Sequence, residues 1–232
     1  MAMPPIYVIN LARSAERRAS IEKQMQRIGL DFNFFPAVDG KLLSSGELAC
    51  VDFELAHQTC GHPITLSEVG CALSHLQIYE KMVREQLPYC LILEDDVHLH
   101  MHFKKIVERI MGMDKTWDIL FLHHGRAKSW PWKSALPEQY RLARYRSPSK
   151  NSKRTIISAA GYILSLSGAQ KLLAKAYPIR MPLDYLTGFL QLTGAKAYGV
   201  EPCCMDVGLF DTTIDDRAYG QHAVPPSQAS LC

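Results

Sequence analysis

Three consecutive carboxylates, Glu94, Asp95 and Asp96, are the residues of this sequence best suited to chemistry. They directly follow the apolar run at residues 89–93, which is typical of a buried strand. Adjacent acids raise one another's pKa unless a cation neutralises them, and hard carboxylate oxygens select Mg²⁺ or Mn²⁺. The triplet therefore indicates a divalent cation site, although an acidic turn with Asp96 as a helix N-cap has the same pattern.

A second group of polar residues lies on an otherwise apolar helical segment at residues 66–75. Glu68, Ser74 and His75 share this segment with two small residues, Gly70 and Ala72, which permit close approach of another backbone. A histidine in such a setting is more often a hydrogen-bonded core residue than a ligand. The residue types alone therefore do not assign this segment a function.

The rest of the sequence predicts the elements that position these residues. Strands are expected at residues 6–11, 32–38, 89–93, 118–122, 156–164 and 196–200. Helices are expected after Ser14, after a Thr65–Glu68 capping box, around residues 103–110, after a Ser167–Gln170 capping box, and at 182–193. This alternation predicts an α/β, Rossmann-type domain with a mostly parallel central sheet, whose ligands bind at the carboxyl ends of the strands.

Composition narrows the class of protein. The 232 residues are 47% hydrophobic and 21% charged, which is typical of a globular domain. We expect that domain at residues 1–210 and a polar tail at 211–232. The net charge of +3 is low for a protein that coats nucleic acid. The sequence also contains no run of 18 apolar residues, the length that a membrane-spanning helix requires.

The cysteines and the N-terminus indicate a compartment. There are seven cysteines, an odd number without repeated CxxC spacing, which argues against a disulfide framework and against a zinc site. The N-terminal residues lack the basic region and long apolar stretch of a secretory signal. Both observations favour a reduced, cytoplasmic protein.

The segment at residues 126–154 differs from the rest of the chain. It contains nine Lys or Arg and one Glu, a local charge of +8, and three prolines that exclude a long helix. We expect a long basic loop that is either solvated and without function or binds a substrate. In the second case its Trp and Tyr residues would suit a phosphorylated glycolipid at an anionic membrane surface.

Six stretches, taken together and in order, resemble glycosyltransferase family 25. They are IYVINL (6–11), FPAVDG (35–40), SEVGCALSH (67–75), LEDDV (93–97), GYILS (161–165) and PLD (182–184). The resemblance covers residues 6 to about 202. The family contains bacterial lipooligosaccharide galactosyltransferases and animal collagen galactosyltransferases. It implies a GT-A fold, a UDP-sugar donor (UDP-galactose or UDP-glucose), Mn²⁺ or Mg²⁺, and inversion at the anomeric carbon.

The resemblance also implies roles for individual residues. Asp96 matches the family's direct metal ligand, with Glu94 as a second one, and Asp184 matches a downstream acid that is either the catalytic base or a partner of the metal site. The residues expected on the donor side are Asn10, Arg13, Arg17, Glu68, Ser74, His75, Glu94 and Asp95. His123-His124 and Cys203-Cys204 stand where other residue types are expected.

The resemblance therefore implies an inverting, metal-dependent transfer of a hexose, galactose being the first choice, from a UDP-sugar to a lipopolysaccharide or lipooligosaccharide core. The basic loop at residues 126–154 would lie on the acceptor side. The alternatives are a metal-dependent phosphoryl hydrolase and a non-enzymatic nucleotide- or glycolipid-binding module. A cytoplasmic protein attached peripherally to the inner face of a bacterial inner membrane would meet such an acceptor.

Overall fold

Residues 3–208 and 210 are the part of the chain that the computed structural model describes, and they contain ten strands. The strands are β1 (Ile6–Asn10), β2 (Asn33–Pro36), β3 (Tyr89–Glu94), β4 (His98–Leu99), β5 (Ile119–Phe121), β6 (Ser129–Ala135), β7 (Arg141–Tyr145), β8 (Gly161–Ser165), β9 (Ala197–Glu201) and β10 (Met205–Asp206). Eight of them form one sheet in the order β2-β1-β3-β8-β5-β9-β7-β6. Since only β8 and β7 run against the other six, the predicted α/β class with a mostly parallel sheet is confirmed.

Eight α-helices lie within the same residues. They are α1 (Ala15–Ile28), α2 (Ser45–Leu48), α3 (Phe53–Cys60), α4 (Leu66–Arg84), α5 (Phe103–Met111), α6 (Leu166–Ala176), α7 (Leu183–Gly188) and α8 (Leu190–Thr193). The start of α4 is the predicted capping box, in which the Thr65 and Glu68 side chains each bond the other's backbone N–H. Gly29 ends α1 in the left-handed conformation, at φ 64°, which a glycine adopts without steric cost.

The predicted start of α6 is wrong by two residues. Its N-cap is Ser165, whose hydroxyl accepts from the N–H of Gly168. The Ser167 hydroxyl donates to Asp118 Oδ1 instead, at 2.7 Å. Because β8 ends at Ser165, the strand passes into the helix without a loop, and the capping position falls on the last strand residue.

Side chains of the central strands alternate between two apolar clusters on the two faces of the sheet. In β3, Leu91 and Leu93 face the cluster that contains α1 and α5, whereas Cys90 and Ile92 face the cluster that contains α4 and α6. All four side chains are fully buried. This three-layer packing fixes the carboxyl end of β3, where the acidic triplet lies.

The strand expected at residues 156–164 is shorter than predicted and lies unexpectedly between β3 and β5. β8 begins only at Gly161 and is antiparallel to both neighbours. Ser158 has φ 97°, which is incompatible with an extended strand and ends any strand before it. Residues 157–160 consequently form an irregular segment at the same edge of the sheet as the carboxyl end of β3.

The sequence predicted a long loop at residues 126–154, but part of this basic segment forms strands. β6 and β7 form an antiparallel hairpin at the edge of the sheet, with β7 also paired to β9. Pro131 excludes a helix but is tolerated in β6, because an edge strand needs fewer backbone N–H donors and the register shifts between Ser129 and Lys133. The side chains of Arg141, Arg144 and Arg146 are exposed.

The tail expected at 211–232 lies outside the described residues. Within residues 3–208 and 210, no helix combines the length and the hydropathy that crossing a membrane requires.

Candidate active site

A cavity of about 460 Å³ opens at the carboxyl ends of four parallel strands. Segments that follow β1, β2, β3 and β5 contribute to its wall, as expected for a ligand site in an α/β sheet. Nine of the ten site residues that the sequence predicts line it, namely Arg13, Arg17, Glu68, Ser74, His75, Glu94, Asp95, Asp96 and Asp184. The tenth, Asn10, lies directly behind this wall and is bonded to Asp95.

Asp95 is held by two side chains from the first βα unit. Asn10 Nδ2 donates to its Oδ2 at 2.7 Å, and Arg17 Nη1 lies 3.2 Å from its Oδ1. Burial raises the pKa of Asp95, while the hydrogen bonds from Asn10 and Arg17 lower it in part. Asp95 therefore links β3 to β1 and α1, and its predicted contact with the donor stays a prediction.

Asp96 is the acid of the triplet with unused binding capacity. Its Oδ2 lies 3.5 Å from Arg17 Nη1, whereas its Oδ1 is buried and has no hydrogen-bond partner among the described residues. Burial first, and then the neighbouring charge of Glu94, raise the pKa of Asp96 to about 6. A buried carboxylate oxygen without a donor is a feature that a bound cation would satisfy.

Glu94 meets two residues of α4 across the cavity wall. Its Oε1 lies 3.5 Å from His75 Nε2 and 3.7 Å from Cys71 Sγ. The other ring nitrogen of His75, Nδ1, is 2.7 Å from the hydroxyl of Tyr162, which is bonded in turn to the hydroxyl of Tyr79. A buried chain of hydrogen bonds thus fixes the His75 ring toward Glu94.

Glu68 and Ser74 serve the packing of α4 in this structure. The Glu68 carboxylate caps the helix through Thr65, and Ser74 Oγ accepts from the N–H of Val38 at 2.9 Å. A Cβ at Gly40 would lie 2.3 Å from the carbonyl oxygen of Leu66, so only a glycine allows this close approach. Glu68 and Ser74, which were predicted to bind the donor sugar nucleotide, both line the cavity, and the Ser74–Val38 contact holds α4 against the segment that follows β2.

Arg13 and Asp184 bring charge to other parts of the wall. Arg13 forms an ion pair with Asp39, and its guanidinium is partly exposed. Asp184 lies in the first turn of α7, whose N-cap is Pro182 and which has no side-chain capping bond. Asp184 lines the same cavity as the acidic triplet.

The sequence of this chain is similar to that of known proteins. A sequence model of glycosyltransferase family 25, described as an LPS biosynthesis protein family, matches residues 3–187. This chain belongs to glycosyltransferase family 25. The predicted resemblance is thereby confirmed.

Its relatives in family 25 are longer proteins. "Glycosyltransferase 25 family member" of Aedes aegypti is 35% identical over 181 residues, covering 75% of this chain and 28% of the relative. Human "Procollagen galactosyltransferase 2" is 28% identical over 193 residues, covering 79% and 30%. Mouse "Inactive glycosyltransferase 25 family member 3" is 33% identical over 193 residues, covering 79% and 31%. The chain thus spans about 30% of the length of these relatives, one of which is named as inactive.

One solved structure that the family 25 chain matches is a glycosyltransferase involved in the glycosylation of the major capsid of PBCV-1. The TM-score is 0.34 and the identity 13%, over 74% of this chain and 66% of that one. A likeness of this size supports no functional statement.

The cavity residues that were not predicted as site residues include His123, Ser158 and Cys71. His123 Nδ1 lies 2.8 Å from Ser158 Oγ, and burial together with the neighbouring His124 lowers the pKa of His123. Cys71 faces Glu94 from α4. A polar residue directly after a strand, as His123 is after β5, was an available signal, whereas the left-handed backbone of Ser158 was not visible in the sequence.

Proposed function

We propose that this chain transfers a hexose from a nucleotide sugar to a carbohydrate acceptor, with a divalent cation and inversion at the anomeric carbon. The observation that carries the proposal is Asp96, whose buried Oδ1 has no hydrogen-bond partner among the described residues and belongs to a cavity wall next to Glu94. Membership of glycosyltransferase family 25 supports the class of reaction. Galactose from UDP-galactose is the proposed donor group, with UDP-glucose as the alternative.

The carboxylate ligands at the end of β3 suit a hard cation. Asp96 and Glu94 are the residues that would hold Mn²⁺ or Mg²⁺, since both offer carboxylate oxygens to the cavity. When bound, the cation neutralises the charge of the diphosphate leaving group. No acid residue is then needed to protonate that group, and the cavity need supply only one base.

The wall at the ends of β1 and β3 is the proposed donor side. Arg17, which is 9% exposed, is fixed against Asp95 and Asp96 and so brings a positive charge to this wall without losing side-chain entropy on binding. Arg13 adds a second guanidinium near the cavity mouth. Both would attract a nucleotide diphosphate.

Asp184 is the proposed base. In an inverting transfer a carboxylate takes the proton of the acceptor hydroxyl as its oxygen attacks the anomeric carbon. Asp184 approaches the cavity from α7, an element separate from β1 and β3, which suits a residue that meets the acceptor rather than the donor.

The proposed acceptor is the core oligosaccharide of lipopolysaccharide or lipooligosaccharide, reached at the inner face of a bacterial inner membrane. The support is the exposed basic hairpin, in which the Arg146 guanidinium lies 4.7 Å from the centre of the Trp130 ring and Trp132 is exposed. No residue of 126–154 lines the cavity, so the hairpin would hold the lipid part of the acceptor rather than the reacting hydroxyl. Because relatives are named procollagen galactosyltransferases, a collagen peptide is the acceptor to test against it.

A panel of UDP-sugars, incubated with lipopolysaccharide core glycosides or collagen peptide in Mn²⁺, tests the proposal. We expect galactose transfer with an inverted linkage, which NMR of the product reads directly. UDP-galactose cleavage that proceeds equally without acceptor would indicate a hydrolase instead. Binding of UDP without any turnover would indicate a non-enzymatic module.

A further inference from the structure

We propose that Cys71, His75 and Glu94 form a binding site for a borderline-soft metal ion, with Zn²⁺ as the best match, inside the cavity. One ligand atom from each residue lies within 4.8 Å of the other two. Cys71 and His75 are four residues apart and therefore lie on one face of α4. Glu94 approaches from the end of β3, so two rigid elements define the site.

The distances from Glu94 to the other two ligand atoms match a tetrahedral zinc centre. Zn–S, Zn–N and Zn–O bonds of ordinary length place neighbouring ligand atoms about 3.4–3.6 Å apart in a tetrahedron. Glu94 Oε1 lies 3.5 Å from His75 Nε2 and 3.7 Å from Cys71 Sγ. The third pair, Cys71 Sγ and His75 Nε2, lies within 4.8 Å, so the three ligand atoms need only small movements to bind an ion.

The surroundings of His75 support a ligand role. The side chain is 0% exposed, and its Nε2 has no hydrogen-bond partner among the residues described. Its Nδ1 is bonded to the Tyr162 hydroxyl at 2.7 Å, the kind of outer contact that orients most metal-binding histidines. In the tautomer that carries its proton on Nδ1, this N–H donates a hydrogen bond to the Tyr162 hydroxyl, and Nε2 keeps a lone pair for the metal ion.

The ligand types select the metal. A thiolate, an imidazole and a carboxylate form a typical zinc set, whereas Mn²⁺ and Mg²⁺ prefer oxygen ligands alone. On binding, the Cys71 S–H bond breaks, its proton passes to solvent and the sulfur electron pair bonds the ion. Because Glu94 is also a proposed Mn²⁺ ligand, we expect Zn²⁺ to inhibit sugar transfer, a consequence that rests on the proposed function.

Co²⁺ substitution tests the site directly in the full-length chain without donor or acceptor. Co²⁺ bound by a thiolate gives a charge-transfer absorption in the near ultraviolet, and tetrahedral Co²⁺ gives intense visible bands. We expect both in the wild type and expect Zn²⁺ to abolish them. Cys71→Ser should remove the charge-transfer band and weaken Zn²⁺ binding, measured by calorimetry, at least about 10-fold.

Two controls separate this site from other ligands of the chain. Cys203→Ser changes another half-buried cysteine and should keep the spectrum. A His98→Ala/His100→Ala variant removes the exposed cluster that these residues form with Asp206, and it should also keep the charge-transfer band. A band that survives Cys71→Ser, or one that disappears in either control, would overturn the proposal.

A second measurement needs no variant and so does not depend on the folding of Cys71→Ser. Zn²⁺ should slow the alkylation of Cys71 by iodoacetamide at least about 10-fold, as mapped by peptide mass spectrometry, and leave Cys203 unaffected. Equal alkylation of Cys71 with and without Zn²⁺ contradicts the site. An active transferase without Zn²⁺ protection refutes this inference alone, whereas protection in an inactive chain refutes the proposed function alone.

Discussion

Asn10 Nδ2 donates a hydrogen bond to Asp95 Oδ2 at 2.7 Å, which joins the ends of β1 and β3 across 85 positions of sequence. The Asp95 carboxylate is 7% exposed, and its other oxygen faces Arg17. Neighbouring parallel strands are thus tied at the edge that forms the cavity. The acidic triplet is held in place by this tie as well as by the sheet itself.

We predict that Asn10→Ala lowers the free energy of unfolding by about 1–3 kcal/mol, since it leaves a buried carboxylate oxygen without its donor. Chemical denaturation measures the loss. Asn33→Ala, at an exposed position of β2, is the control and should change stability by no more than about 0.5 kcal/mol. Equal losses in the two variants would show that the Asn10–Asp95 bond is not important for stability.

Asp96→Asn should nearly abolish sugar transfer while leaving stability at neutral pH unchanged or higher. The half-buried carboxylate lies beside Glu94, and partial burial together with that neighbouring charge raises its pKa to about 6, so a neutral amide relieves an unfavourable charge. Activity assays and thermal melts are compared, with Asp31→Asn at an exposed position as the control. Full wild-type activity in EDTA, with metal analysis, would remove the cation from the mechanism.

Asp184→Asn should reduce turnover by about 10²- to 10⁴-fold, the usual effect of losing a general base. Affinity for UDP and Mn²⁺ should change little. Because Asp184 lies in the first turn of α7 and is not its N-cap residue, stability should fall by no more than about 2 kcal/mol, the upper cost of a lost cap. Turnover within threefold of the wild type excludes the base role, and a large loss of UDP–Mn²⁺ affinity moves Asp184 to the metal site.

Changing Arg141, Arg144 and Arg146 together to Ser should reduce activity on lipid-borne acceptor more than on a short soluble glycoside. The three side chains are exposed on the hairpin and away from the cavity, so they can act on membrane attachment without affecting the reaction. Added salt should mimic the substitution by screening. A triple variant of the exposed Lys23, Arg84 and Lys175 to Ser has the same change of charge, and an equal effect there would argue against a specific role of the hairpin.

Asp118 should make stability sensitive to acid. Burial acts to raise its pKa, but hydrogen bonds from Lys171 Nζ, the backbone N–H of Lys196 and the Ser167 hydroxyl outweigh burial and lower the pKa below the ordinary 3.8. The stabilisation is therefore complete above that value and is lost as the pH falls through the lower folded pKa.

Asp118→Asn should accordingly cost about 1–3 kcal/mol at pH 7 and flatten the loss of stability below pH 3.8. Denaturation curves at several pH values measure both effects. Asp114→Asn, at an exposed position near the end of α5, is the matched control and should keep the wild-type pH dependence. If Asp118→Asn loses stability in acid as steeply as the wild type does, Asp118 is not the source of this acid sensitivity.

The sequence alone determined the features that depend on neighbouring residues. The capping box of α4 and the position of the acidic triplet at the end of β3 were both predicted correctly. Each follows from the hydrogen bonds or the hydrophobic period of a few consecutive residues. For the same reason the triplet was found without any knowledge of the sheet order.

Only the tertiary structure decided which distant residues meet. Nothing local places β8 antiparallel between β3 and β5, because strand order is set by how two apolar clusters pack on opposite faces of the sheet. The basic hairpin forms for a similar reason, since β7 gains its partner β9 from far along the chain. The cysteine spacing argued against a zinc site, yet packing of α4 against β3 brings Cys71 and His75 to Glu94, because ligands separated in sequence converge only when two rigid elements are placed side by side.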